Sequence, residues 1–165
     1  MINDDDPEGE VKRDASFRPN QLFAIGLLFP LITGAKANSI LKIATEKLYT
    51  PFGLRSLSPD DANYKGTYRG NQQERDAAYH QGTVWSWLLG IYVDSLMMTG
   101  EKSSRQEAEL VIQRFIPHLN DACIGSVSEI FSGDTPFTPA GCVAQAWGVA
   151  EVLRVVKRYS LYSEK

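Results

Sequence analysis

The apolar residues of this chain fall into helical segments of two alternating kinds, and that alternation restricts the fold more than any other feature. Segment 20–29 is apolar nearly all round, through Leu22, Phe23, Ile25, Leu27, Leu28 and Phe29, and Pro30 ends it. Segment 35–48 carries a single stripe, Ala37, Ile40, Leu41, Ala44 and Leu48, opposite Lys36, Lys42, Glu46 and Lys47. Segment 83–98 is again apolar on every side, with Trp85, Trp87, Leu88, Leu89, Ile91, Tyr92, Val93 and Leu96, and Gly100 is its stop signal. A fourth segment opens with Ser104 and Glu107 at the spacing of a capping box and continues as a stripe of Ala108, Val111, Ile112, Phe115 and Leu119. The fifth, 143–159, begins mostly apolar, through Trp147, Val149, Val152 and Leu153.

A helix that is apolar all round must be surrounded, whereas a striped one faces water on one side. The order is therefore buried, exposed, buried, exposed, buried. Successive hairpins of an all-α fold, an α/α toroid of the (α/α)6 type, produce that order, with inner helices wrapped by outer ones. A four-helix bundle would give stripes throughout. Five helices are too few to close such a ring, so the expectation is part of a larger one.

Size and charge narrow the class. A chain of 165 residues with 43% apolar and 22% charged residues suits one globular domain with a real core. Its longest apolar run, "FAIGLLFPLI", is broken by Pro30, so no membrane span is expected. The acidic N-terminus does not fit a signal peptide, which leads to the expectation of a cytoplasmic protein. Residues 1–14 hold six acids and two bases, and the net charge of the chain is −3. Residues 1–16 read as a flexible acidic lead-in and 17–165 as the folded unit. No basic stripe accompanies the pI of about 5.4, which argues against nucleic acid as a partner. Cys123 and Cys142 have no second pair, and His80 and His118 stand apart from them. That is neither a disulfide framework nor a zinc pattern, so the reading is buried reduced thiols, no metal and no cofactor.

The connections bring function into view. Residues 49–82 and 120–142 are long links, and each leads from an exposed segment into a buried one; loops of that length tend to be functional or disordered. Antiparallel hairpins would bring both to one end of the bundle, together with "RPNQ". The first link mixes Tyr64, Tyr68 and Tyr79 with Arg55, Arg69, Arg75, Asp76, His80 and Gln81. Aromatic faces stack on sugar rings while planar amides and charged groups bond to hydroxyls, although protein-binding loops use Tyr and Arg too. In the second link, "ACIGSVSEIFSGD" sets Glu129 alone between Val127 and Phe131, a misfit, a paired structural charge or a reagent. A carboxylate in partly apolar surroundings is a better proton acceptor from water, whereas an ion pair with a loop arginine would make it structural. His80 is similarly a hydrogen-bonded histidine ahead of a helix or a catalytic one. Trp85, Trp87 and Trp147 read as core, with Trp85 near the expected mouth. The chain contains no phosphate-cradling glycine loop, G-x-S-x-G elbow or dinucleotide fingerprint.

Five motifs in one order, "RPNQLFAI", "TPFGLRSLSPDDANYKGTYRG", "RDAAYHQGTVWSWLLG", "ACIGSVSEIFSGD" and "GCVAQAWGVAEVLR", resemble the C-terminal region of the glycogen debranching enzyme family, of the amylo-α-1,6-glucosidase type. The resemblance covers residues 17–154. It implies an (α/α)6 toroid, present here as about its C-terminal half. It also implies inverting hydrolysis of the glucosyl stub on an α-1,6 branch of glycogen or another branched α-glucan. The glutamate matching Glu129 serves as general base in that family. Segments resembling those that line the sugar site give Arg18, Asn20, Gln21, Tyr79, His80, Gln81, Trp85 and Gln145 as binding residues.

An inverting glycosidase needs a second carboxyl, roughly 6.5–9.5 Å from the first. The acid of the family precedes these motifs, and Asp60, Asp61 and Asp76 do not match its motif. The implied partner is the upstream half of the same enzyme, and the isolated chain is expected to be inactive or nearly so. An apolar face on the open side of a half ring would also favour a homodimer. Rival readings are a glucoamylase-like or trehalase-like enzyme and a noncatalytic glycan-binding module.

Overall fold

A computed structural model describes residues 14–162, so most of the acidic lead-in lies outside the described residues. The central element is α4, Leu88–Thr99, whose residues from Leu88 to Leu96 are buried without exception. Its sequence is apolar on all sides and four other helices supply the cover. These are α1 (Phe23–Gly26), α2 (Gly34–Lys47), α5 (Ser104–Phe115) and α6 (Ala146–Tyr159), each of which packs on α4. The stripes of α2 and α5 face inward as their spacing predicts, with Ala37, Leu41, Ala44, Ala108, Val111, Ile112 and Phe115 buried.

The all-α toroid expected from the alternation is not what the chain forms. A five-stranded antiparallel sheet runs beside the helices, in the order β1 (Tyr49–Thr50), β2 (Gly53–Arg55), β3 (Val84–Trp85), β4 (Ile130–Phe131), β5 (Pro139–Ala140). Four of these strands come from the two links read as loops, and their pairing satisfies backbone groups that buried loops would leave open. β3 takes the start of the expected third helix: Val84 lies opposite Arg55 on one side and Phe131 on the other. The β1–β2 turn requires glycine at Gly53, whose φ is +151° and whose absent Cβ would collide with the Trp85 carbonyl.

The ends of the chain depart from the alternation too. A 3-10 turn, Pro19–Leu22, leads into α1, which stops at Gly26. The residue before a proline disfavours the helical conformation, and the chain turns back so that the amides of Leu31 and Ile32 both donate to the Ala24 carbonyl. Leu27, Leu28, Phe29 and Leu31 are consequently exposed, Phe29 and Leu31 by more than four-fifths. α6 is not an inner helix: Trp147, Val149 and Leu153 are exposed, and Val155 is buried. Ser104 begins α5 without a side-chain cap. The capping box forms instead in the first link, where Asn71 and Glu74 exchange bonds of 3.0 and 2.8 Å at the start of α3, Gln72–Ala78. The two cysteines are free, Cys123 half-buried and Cys142 exposed, rather than core thiols. No described helix is long and apolar enough to cross a membrane.

Candidate functional site

The site is assembled where α3, β3, β4 and the start of α6 meet. Tyr79 follows α3 as its C-terminal cap, and its hydroxyl donates to Glu129 Oε1 at 2.5 Å. Gln145, the residue before α6, donates its side-chain amide to the same oxygen at 3.0 Å. The Cys142 amide donates to Oε2 at 2.8 Å, while the Glu129 amide donates to the Cys142 carbonyl at 2.9 Å. The carboxylate is thus held by three neutral donors. No arginine or lysine pairs with it among the described residues.

Burial first, and then the bond to Glu129, raise the Tyr79 phenol well above its ordinary range, so it remains a donor at any working pH. The Tyr79 ring meets Trp85 edge-on at 4.7 Å between centroids and His80 at 4.9 Å. His80 and Trp85 stack in parallel, 5.2 Å apart and within 4° of coplanar orientation. The Trp85 indole N–H donates to the Tyr79 carbonyl at 3.1 Å, which fixes its ring against the end of α3.

These rings border a cleft of about 410 Å³ lined by Arg18, Asn20, His80, Trp85, Trp87 and Trp147, with Pro19, Ser56 and Leu88. Arg18 is largely engaged in holding the walls together. Its guanidinium donates to the carbonyls of Ser56 (3.1 Å) and His80 (2.7 Å), to Gln81 Oε1 (2.9 Å) and to Ser16 Oγ (3.3 Å). Among the described residues four of its five N–H groups are used, and the fifth has no partner. Gln81 therefore enters the site through Arg18. Gln21 is half-buried and does not line the cleft. Glu129 does not line it either; Tyr79 connects the two. A second cleft of similar volume lies between α2 and α5, lined by Asn38, Lys42, Glu46, Glu101 and Glu107 among others, and holds none of the catalytic or binding residues expected from the sequence.

Three contributions were not visible in the residue pattern. Trp147 and Trp87 form a stacked pair, 4.0 Å between centroids, that walls the cleft instead of filling a core. Ser86 Oγ donates to the carbonyls of Ser128 (2.8 Å) and Glu129 (3.1 Å), tying the segment carrying the carboxylate to the base of α4. Gly148 permits α6 to begin directly over that serine, since a Cβ there would stand 2.6 Å from Ser86 Oγ and 3.0 Å from Val127. The "WSW" and "QAWG" spellings are the only sequence traces of these contacts.

Apolar ring faces with a few directed polar groups follow the general plan of a small-molecule cleft. The family model described as amylo-alpha-1,6-glucosidase matches residues 1–154, and the chain belongs to that family. The match extends through the acidic lead-in, ahead of residue 17, where the resemblance begins. The chain is also 34% identical over 91 residues to the glycogen debranching enzyme of Saccharomyces cerevisiae; the alignment takes in 52% of this chain and 6% of that relative. The chain thus matches a small part of the relative's length.

Proposed function

We propose that this chain contributes the general-base side of an inverting α-1,6-glucosidase site acting on glucosyl stubs of glycogen or a related branched α-glucan, with Glu129 as the base. The observation that carries this reading is the set of neutral donors around the Glu129 carboxylate. A cation would tie up the charge; Tyr79, Gln145 and the Cys142 amide orient the carboxylate without pairing it. A carboxylate offers about four lone-pair positions. Oε1 accepts two bonds and Oε2 one, so Oε2 retains the position for a water. In this reaction Glu129 takes a proton from that water as the oxygen attacks the anomeric carbon, and a second carboxyl protonates the departing 6-oxygen.

Among the described residues the cleft lining includes no carboxylate, and Glu129 is linked to it through Tyr79. Asp60 pairs with Lys47 at 2.7 Å, and both Asp60 and Asp61 line a different depression. We therefore assign the acid to a segment outside this chain, upstream in the same enzyme. A cytoplasmic location accompanies this reading. Alone, the chain would bind glucan through Arg18, Asn20, Gln81 and the rings of His80 and Trp85 with little turnover.

The test is Glu129→Gln in the full enzyme, assayed on a singly branched dextrin. Turnover should fall by about 10²- to 10⁴-fold, the ordinary worth of a general base, with glucan affinity within a few-fold. Near-normal turnover rejects the assignment. Cleavage of 1,4 linkages in preference to release of the 1,6-linked glucose would favour another glucosidase specificity.

A further inference from the structure

His118 is one of the most completely buried side chains, 1% exposed, and nothing in the proposed reaction employs it. Its ring lies edge-on to Phe115 and Phe131 and tilted against Phe52, at centroid distances of 5.7, 4.7 and 5.8 Å. An apolar residue would fill such a space with no desolvation penalty. The imidazole nevertheless makes one bond that an apolar residue could not. Nε2 accepts the Ser128 amide N–H at 3.0 Å, both groups being buried.

That bond fixes the tautomer. Nε2 carries no proton, so the neutral ring carries its proton on Nδ1. Nδ1 has no hydrogen-bond partner among the described residues; Asp121 Oδ2, the charged group nearest it, is 3.9 Å away. Phe52 from the β1–β2 turn, Phe115 from α5 and Phe131 from β4 bring no charge. Ser128 immediately precedes Glu129, and its carbonyl is held from the other side by Ser86 Oγ. The peptide carrying the carboxylate is therefore gripped at its amide by His118 and at its carbonyls by Ser86.

We infer that His118 is a positioning residue, an internal latch whose unprotonated Nε2 holds the Ser128 amide and thereby aims the Glu129 carboxylate at Tyr79 and Gln145. Protonation at Nε2 places N–H against N–H and opens the latch. Desolvation lowers the proton affinity of the ring below that of a free histidine, with Asp121 acting the other way, so the latch is closed at neutral pH. The consequence for turnover rests on the reading of Glu129 as base; the latch itself does not.

The experiment is nuclear magnetic resonance on the full chain, without glucan, using ¹⁵N-labelled histidine and the Ser128 and Gln145 amides as reporters. At neutral pH the His118 ring should show a bare Nε2 and a protonated Nδ1. On acidification the Ser128 amide and the Gln145 side-chain amide should move together, with one midpoint below that of a free histidine. In His118→Gln, whose side-chain oxygen can accept the same N–H, that transition should vanish while Ser128 stays protected from hydrogen exchange. In His118→Met it should lose protection by tenfold or more. A protonated Nε2 at neutral pH overturns the inference, as does a Gln145 amide that ignores the His118 transition. Survival of the transition in His118→Gln overturns it too, which keeps the test decisive even if the methionine variant does not fold. Since no readout involves sugar or turnover, the latch can fail while the glucosidase reading stands. A fully active Glu129→Gln would reject that reading and leave the latch intact.

Discussion

Two carboxylates of this molecule each accept from a different tyrosine hydroxyl and differ in their remaining partners. Asp94, on α4 and 3% exposed, accepts from Arg154 through both oxygens (3.2 and 2.6 Å) and from Tyr159 at 2.8 Å, with Arg158 at 3.7 Å. Glu129, half-buried at the end of the sheet, accepts from Tyr79, Gln145 and a backbone amide. The first set neutralises the charge and fastens α6 to α4; burial and the bond to Asp94 push the Tyr159 phenol up to about 12. The second orients the charge and leaves it uncompensated. A bidentate arginine pairs the charge it holds, whereas neutral donors orient a carboxylate without pairing it, as the role proposed for Glu129 requires.

Substitution at the clamp should have the largest effect on stability. Asp94→Asn leaves Arg154 with Glu151 as its remaining anion, and about 2–3 kcal/mol should be lost in urea unfolding. The value sits below that for a fully buried pair because Arg154 is about one-third exposed. Glucan affinity of the folded fraction should be nearly unchanged; a large loss of affinity at unchanged stability would reverse the two assignments. Gly148→Ala comes next, since the added methyl presses on Ser86 and Val127: about 1–2 kcal/mol, with weaker maltooligosaccharide binding by calorimetry as the start of α6 shifts. Tyr79→Phe should cost less than about 1 kcal/mol in the same unfolding assay, because the hydroxyl it removes is only partly buried, and should instead lower turnover in the full enzyme.

The smallest effect concerns pH. The proton affinity of His118 is lowered by folding, so the folded state binds fewer protons than the unfolded one. Its contribution to stability is whole above the unfolded value of about 6.5 and is lost as pH falls from there toward the lowered folded value. Unfolding midpoints measured between neutral and mildly acidic pH should decline accordingly, and the decline should shrink in His118→Gln.

The helices that could be read from the sequence were those whose apolar residues recur over three turns or more: α2, α4 and α5 stand close to where their spacing puts them. The sheet could not be read this way, since strands of two or three residues are too short to express a period of two. Apolar residues 27–29 imitate a buried helix in composition, yet Pro30 and the fold-back onto Ala24 turn them outward. The capping-box spacing occurs at both Ser104 and Asn71, and tertiary packing decides between them: Ser104 is buried near Thr99, while Asn71 is free to cap. At the site, Glu129 stood out as a lone acid among apolar neighbours. Tyr79, 50 residues away, is brought to the same end by the expected placement of the two long links and by motif resemblance, but neither indicates the direct bond between them, and the Cys142 amide belongs to the backbone and leaves no residue signature.

The most direct measurement is chemical rescue of Glu129→Ala in the full enzyme. With the carboxylate gone, azide can occupy the space of the attacking water and needs no base to take its proton. If Glu129 is the base, turnover should be low without azide, and azide should bring release of a glucosyl azide of β configuration from an α-linked branch. Turnover near the parent's rate without azide, or rescue that yields only the α-configured product, would contradict that role.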